Sequence, residues 1–238
     1  MLSIPCLIAD LEHIVFDYAI DTDFVCVCNS IMTKKILGRL GKINWGYVSQ
    51  YQTLSESFMR EFADKIDWKY VPRYQILSES FIGEFANKID WGRVSRYQTL
   101  SMSFIREFIN RVSWLWILQH QTLSELFIRE NVDKFLSGWH WIDISRYQIL
   151  SESFIREFAD RVRWYYISKK QKLSESFIEE FADQLYWKEI SRYQRLSEPF
   201  IRKFIHKLYK SKIRKYQKLS TAFAVEIAIS SNDRQLAL

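Results

Sequence analysis

The chain has 238 residues, 48% hydrophobic and 16% aromatic, which is enough apolar surface for a continuous core and excludes wholesale disorder. Glycine (6) and proline (3) are scarce, against a sheet protein rich in tight turns and in favour of helices. The net charge of +6 is local: between Phe200 and Leu219 there are eight Lys/Arg and no Asp or Glu, so the rest of the chain is close to neutral.

Residues 1–30 stand apart from the rest of the chain. Leu7 to Tyr18 places Leu7, Leu11, Ile14, Val15 and Tyr18 on one helical face, and Asp21 or Asp23 can start a second helix through Phe24 and Val27. Two short helices ahead of an array suit an N-terminal cap. Asp10 and Glu12, without an early Lys or Arg, do not suit a signal peptide. The three cysteines (Cys6, Cys26, Cys28) all lie here. Cys-x-Cys is poor spacing for a mutual disulfide or structural zinc, so reduced thiols in an intracellular protein are expected. Residues 31–44 resemble a worn half-repeat, with Ile31 and Ile43 one period before Leu54 and Ile66.

From residue 45 to about 229 the chain repeats itself. A Leu-Ser step recurs at Leu54, Leu77, Leu100, Leu123, Leu150, Leu173, Leu196 and Leu219; the gaps are 23 residues except the 27 between Leu123 and Leu150. A fixed period of this size marks a stacked array. The serine after each leucine is an N-cap, and the residue four beyond it (Met59, Ile82, Ile105 and their equivalents) can staple onto the leucine. Glutamate follows in six copies, where negative charge suits the helix dipole. Phe58 and Phe62, then Ile66, begin an apolar stripe repeated in the later copies. This second half of the unit predicts a helix of about twelve residues, and the first half, Trp-x-x-Val/Ile-Ser-Arg-Tyr-Gln, one of about eight. Pro72 should cost the second copy one early hydrogen bond. The four extra residues near Leu136–Trp139, with Asn131 at a usual Phe position, predict a local bend or bulge. Lys210 replaces the tryptophan of the last copy, and 230–238 suggests a frayed tail. The expected fold is therefore all-α: an α-solenoid of about eight helix-turn-helix repeats.

Candidate chemistry is sparse. Gln52, Gln75, Gln98, Gln121, Gln148, Gln171, Gln194 and Gln217 never vary. They form either a recognition ladder or a structural one that satisfies turn backbone, and invariance among copies favours the structural role. Arg73, Arg96, Arg146, Lys169, Arg192 and Lys215 stand beside tyrosines, an arrangement that can grip phosphates. An equally regular acid row (Glu61, Glu84, Glu107, Glu130, Glu157, Glu180) could pair with them and make a solvated face. Lys212 and Arg214 extend the basic end, which also suits a nuclear-import signal. Trp116 and Trp139 fall outside the tryptophan period and are candidates for an exposed contact. His13, His120, His140 and His206 are scattered, and there is no Gly-rich phosphate loop. No catalytic residue, metal site or cofactor is expected. Cys26, Cys28 and His13 are the one set that a metal could gather. No apolar run approaches the roughly 18–20 residues that span a bilayer, so a soluble protein without membrane association is expected.

The unit Trp-x-x-Ile-Ser-x-Tyr-Gln-x-Leu-Ser-Glu-x-Phe-Ile-Arg-Glu-Phe-Ala-Asp, seen in full across Ile144–Trp164 and its neighbours, resembles the tandem repeats of proteins encoded by giant DNA viruses of amoebae. The likeness covers about residues 45–227 and implies origin and architecture, a viral protein acting in the host cytoplasm, rather than an activity. Ile4-Pro5, Leu11, Ile14, Phe16, Asp23-Phe24 and Val27 resemble the landmarks of an F-box without its closing Val-Cys-Lys-x-Trp. That likeness implies a ubiquitin-ligase adaptor whose array captures a target. The sequence thus favours a non-enzymatic scaffold for a protein partner, with the F-box-like adaptor and nucleic-acid binding through the basic end as alternatives.

Overall fold

A computed structural model describes residues 44–135 and 137–232. The expected N-terminal helices, the F-box-like landmarks, the cysteines and the half-repeat up to residue 43 lie outside the described residues. The chain divides into two compact units, one ending at Ser113 and the other beginning at Trp114. Among the described residues there are sixteen α-helices, one 3-10 turn and no strand. Both units are built from helix pairs at the repeat spacing, so the fold is an α-solenoid of about eight repeats.

In the first unit the helices are α1 (Trp45–Tyr51), α2 (Glu56–Glu61), α3 (Val71–Tyr74), α4 (Glu79–Glu84), α5 (Trp91–Tyr97) and α6 (Met102–Glu107). The first helices of successive repeats, α1, α3 and α5, pack side by side. In the second unit they are α7 (Trp114–His120), α8 (Glu125–Glu130), α9 (Gly138–Tyr147), α10 (Glu152–Glu157), α11 (Trp164–Lys170), α12 (Glu175–Glu180), α13 (Trp187–Tyr193), α14 (Glu198–Phe204), α15 (Lys210–Tyr216) and α16 (Thr221–Asn232). Here α7, α9, α11, α13 and α15 pack in sequence, and α16 closes on α15.

Every second helix starts as its sequence dictates. The hydroxyls of Ser55, Ser78, Ser101, Ser124, Ser151, Ser174, Ser197 and Ser220 each accept the backbone N–H three residues on, at 3.1–3.3 Å. Leucine and staple residue on either side of the cap are both buried, as at Leu150 and Ile155.

The second helix is shorter than expected. It runs six residues in most copies and stops at a phenylalanine, such as Phe62, whose φ −107° and ψ 26° leave the helical region. The chain then makes one further turn, with Lys65 and Ile66 N–H both donating to the Phe62 carbonyl. The carbonyl after the phenylalanine is taken by the next repeat: Trp68 Nε1 donates to the Ala63 carbonyl at 2.8 Å. Trp91, Trp164 and Trp187 do the same to Ala86, Ala159 and Ala182. Each tryptophan also lies against its own repeat's phenylalanines, as Trp68 does on Phe81 and Phe85 at 6.1 and 4.6 Å. The tryptophans are joints between repeats.

Three irregular places have local causes. Pro72 confines α3 to four residues, because it lacks an N–H and disfavours helix at the residue before it. The four-residue insertion becomes the 3-10 turn Val132–Lys134 plus a longer α9 whose N-cap is Ser137. Asn131 replaces the missing phenylalanine by donating to the Phe127 carbonyl, and fully buried Phe135 meets Trp114 edge-on at 5.1 Å. Finally, α16 continues to Asn232, beyond the expected array limit at 229.

Candidate functional site

The invariant glutamines are structural. In the second unit Gln171 Oε1 accepts the Leu150 N–H at 3.0 Å, and its Nε2 donates to the carbonyls of Ser145 and Gln148 at 3.1 and 2.8 Å. Gln148, Gln194 and Gln217 repeat the pattern on the turn one repeat earlier, and Gln75 and Gln98 do so in the first unit. One buried amide thus satisfies three backbone groups that the extended turn leaves without partners. Within each unit the ladder also fixes one interhelix turn directly against the next.

Two further ladders were not read from the sequence. Ser49, Ser95, Ser145, Ser168 and Ser191 are fully buried. Each donates to the tryptophan carbonyl four residues back and accepts a backbone N–H from the next repeat, as Ser168 does from Tyr186 at 2.9 Å. Their regularity right after Val or Ile was the available signal, broken at Pro72, Leu118 and Arg214. The glutamate at the first helical position does more than suit the dipole. Glu56, Glu152 and Glu198 accept the N–H of Ser78, Ser174 and Ser220, the next N-cap, at 2.6 Å. At Glu198 that N–H and the Ser220 hydroxyl hold the carboxyl below its ordinary value. At Glu56 burial pushes the carboxyl up, but the Ser78 backbone and hydroxyl, with Arg60, outweigh it and leave it lowered.

Above the glutamine ladder, on the surface, lies the row of cations and tyrosines. Arg73 sits over Tyr74 and Tyr97 at 5.0 and 5.4 Å from the ring centroids, and Arg96 over Tyr97 at 5.0 Å. In the second unit Arg146 covers Tyr147 and Tyr166, Lys169 covers Tyr165 and Tyr193, and Arg192 covers Tyr193 and Tyr216. Lys212 and Lys215 add to Tyr216, while Arg214 is exposed beside them. Cations thus bridge rings of successive repeats, in contacts worth about 0.5–1 kcal/mol at exposed sites.

The expected acid partners of this row are elsewhere. Glu84, Glu157 and Glu180 pair instead with Arg60, Arg129 and Arg156, at 2.7, 2.7 and 2.8 Å. These are second-helix arginines one repeat earlier. Lys203 with Glu179, Lys207 with Asp183 and Arg202 with Glu226 complete the second-helix face of the second unit. Among the described residues, Arg73, Arg146 and Arg192 have no carboxylate within ion-pair distance. No family model, curated protein or solved structure matches this chain.

The two extra tryptophans part company. Trp139 is 76% exposed at the start of α9, roughly 10 Å along the helix from Arg146, and it does not join the cation row. Trp116 is half-buried and lies 5.6 Å from His120. Burial holds His140 below its ordinary value, against the opposing pull of Asp143, so it favours the neutral form. A shallow cleft of about 600 Å³ lies beside α13, lined by Tyr165, Tyr186, Trp187, Glu189, Lys207 and Tyr209 among others. Among the described residues, no group of three or more His, Cys, Asp or Glu could hold a metal, and no helix is long and apolar enough to cross a membrane.

Proposed function

We propose that this protein is a non-enzymatic intracellular scaffold that engages an extended partner along the turn row. The observation that carries the reading is charge accounting. Cations of the second helices are neutralised by carboxylates of neighbouring repeats, whereas Arg73, Arg146 and Arg192 give their faces to tyrosines and have no acid. A guanidinium stacked on a ring keeps its N–H edge for an acceptor. Repeats set at fixed spacing by a buried ladder offer many shallow contacts to one long ligand, as stacked arrays do.

A photo-crosslinking amino acid placed singly at the turn positions 149 and 172, and at the second-helix positions 156 and 179, tests this in cells. Adducts are expected from the turn positions. Adducts from the second-helix positions alone, or none at any position, would refute the reading.

A further inference from the structure

We propose that the turn row of the second unit binds the phosphodiester backbone of a nucleic acid. The inference rests on the scaffold reading above and names the chemistry of the partner. Four observations support it.

The first is rigid placement. Gln171, Gln194 and Gln217 bond each turn to the carbonyl of the preceding glutamine at 2.7–2.8 Å, so cations at the turns stand in one line at fixed intervals. The second is composition. The residue after the glutamine is Thr53, Ile76, Thr99, Thr122 and Ile149 in the first five copies, and becomes Lys172, Arg195 and Lys218 in the last three. These join Lys169, Arg192 and Lys215, so the last three turns, from residues 167–173, 190–196 and 213–219, contain no acid.

The third is that the carboxylates directly after the turns are occupied, whereas Glu189, directly before the 190–196 turn, acts electrostatically on Lys169. Glu152, Glu175 and Glu198 each accept the serine N–H of the following repeat. The fourth concerns the tyrosines, whose rings are engaged by the protein's own cations. Bases therefore gain no aromatic platform, and the row offers a ligand donor edges and positive charge. Donors repeated at a fixed period suit a polymer with one negative charge per monomer better than a peptide whose acids are irregular. Such contacts position a strand without reading its sequence, and their strength depends on released counterions.

The test uses the full chain and fluorescence anisotropy with labelled oligo-dT, oligo-U, a duplex and poly-glutamate. Binding to nucleic acid is expected at about 50 mM salt and should weaken steeply toward about 200 mM. A variant carrying Lys172→Thr, Arg195→Thr and Lys218→Thr uses a residue that other copies already have there. It should lose at least about tenfold in affinity, and its salt slope for single strands should become shallower by about 2. The matched variant Arg156→Gln, Lys203→Gln, Lys207→Gln removes the same charge from the second-helix face and should bind as the parent does. Tighter binding of single strand or of duplex supports the proposal and identifies the form recognised.

Equal losses in the two variants would reduce the effect to net charge and overturn the site. Poly-glutamate bound as tightly as oligonucleotide would overturn the phosphodiester assignment and leave the scaffold reading standing. No oligonucleotide binding at low salt would do the same, and the crosslinking experiment then judges the scaffold independently.

Discussion

At the turn inside six of the repeats, a cation rests on tyrosine beside the glutamine amide. On the second helices, a cation reaches across to a carboxylate of the next repeat. Both rows recur with the same period and both lie at the surface, yet they rest on different foundations. The turn row stands on a ladder of three hydrogen bonds per glutamine, and its Arg73, Arg146 and Arg192 have no carboxylate within ion-pair distance. The second-helix row is exposed and self-neutralising, the kind of pairing that solvent and salt weaken. Rigidity and unspent charge therefore coincide in one row, which is the physical basis for assigning function there.

The largest effect should come from the foundation of the turn row. Gln171→Ala removes three hydrogen bonds and leaves the Leu150 N–H and the Ser145 and Gln148 carbonyls buried without partners. A loss of about 3–5 kcal/mol is expected in denaturant unfolding, with faster hydrogen exchange at the Leu150 amide. An unchanged midpoint would mean that water replaces the amide at no cost, and the ladder would lose its role.

Ser168→Ala should come next, at about 1–2 kcal/mol, because the Tyr186 N–H loses its acceptor. The Tyr186 amide should exchange faster while the nucleic-acid salt slope stays as it is. A change in slope without a change in stability would move Ser168 from the foundation to the site.

A smaller effect is expected with pH. The Glu198 carboxyl is held below its ordinary value of 4.5 by the Ser220 N–H and hydroxyl. Its contribution is fully present above that value and is lost as pH falls through the lowered folded one. Glu198→Gln should flatten this part of the acid dependence of the unfolding midpoint at the end of the array. Parallel curves for parent and variant would show that the carboxylate gains nothing from its partner.

The smallest effect belongs to the second-helix row. Arg156→Gln breaks the pair with Glu180 and should move neither the unfolding midpoint nor oligonucleotide affinity measurably. A measurable drop in affinity would break the contrast between the two rows, since a neutralised face would then be contributing to binding.

The sequence by itself determined the repeat period, the eight helix starts and the structural role of glutamine. Each of these is local or statistical: a serine cap reaches a donor three residues away, and a side chain that never varies among copies is answering a demand that every copy shares. Only the tertiary structure decided which acid faces which cation. Rows of equal period look equally matched in one dimension, and pairing depends on how far one helix pair rises over the next. It also decided where the second helix stops, at a phenylalanine such as Phe62, and that the Ala63 carbonyl after it is taken by Trp68 of the following repeat. The buried serine and the glutamate at the head of each second helix act across that same interval. Contacts between neighbouring copies are set by stacking, and a linear pattern does not specify them.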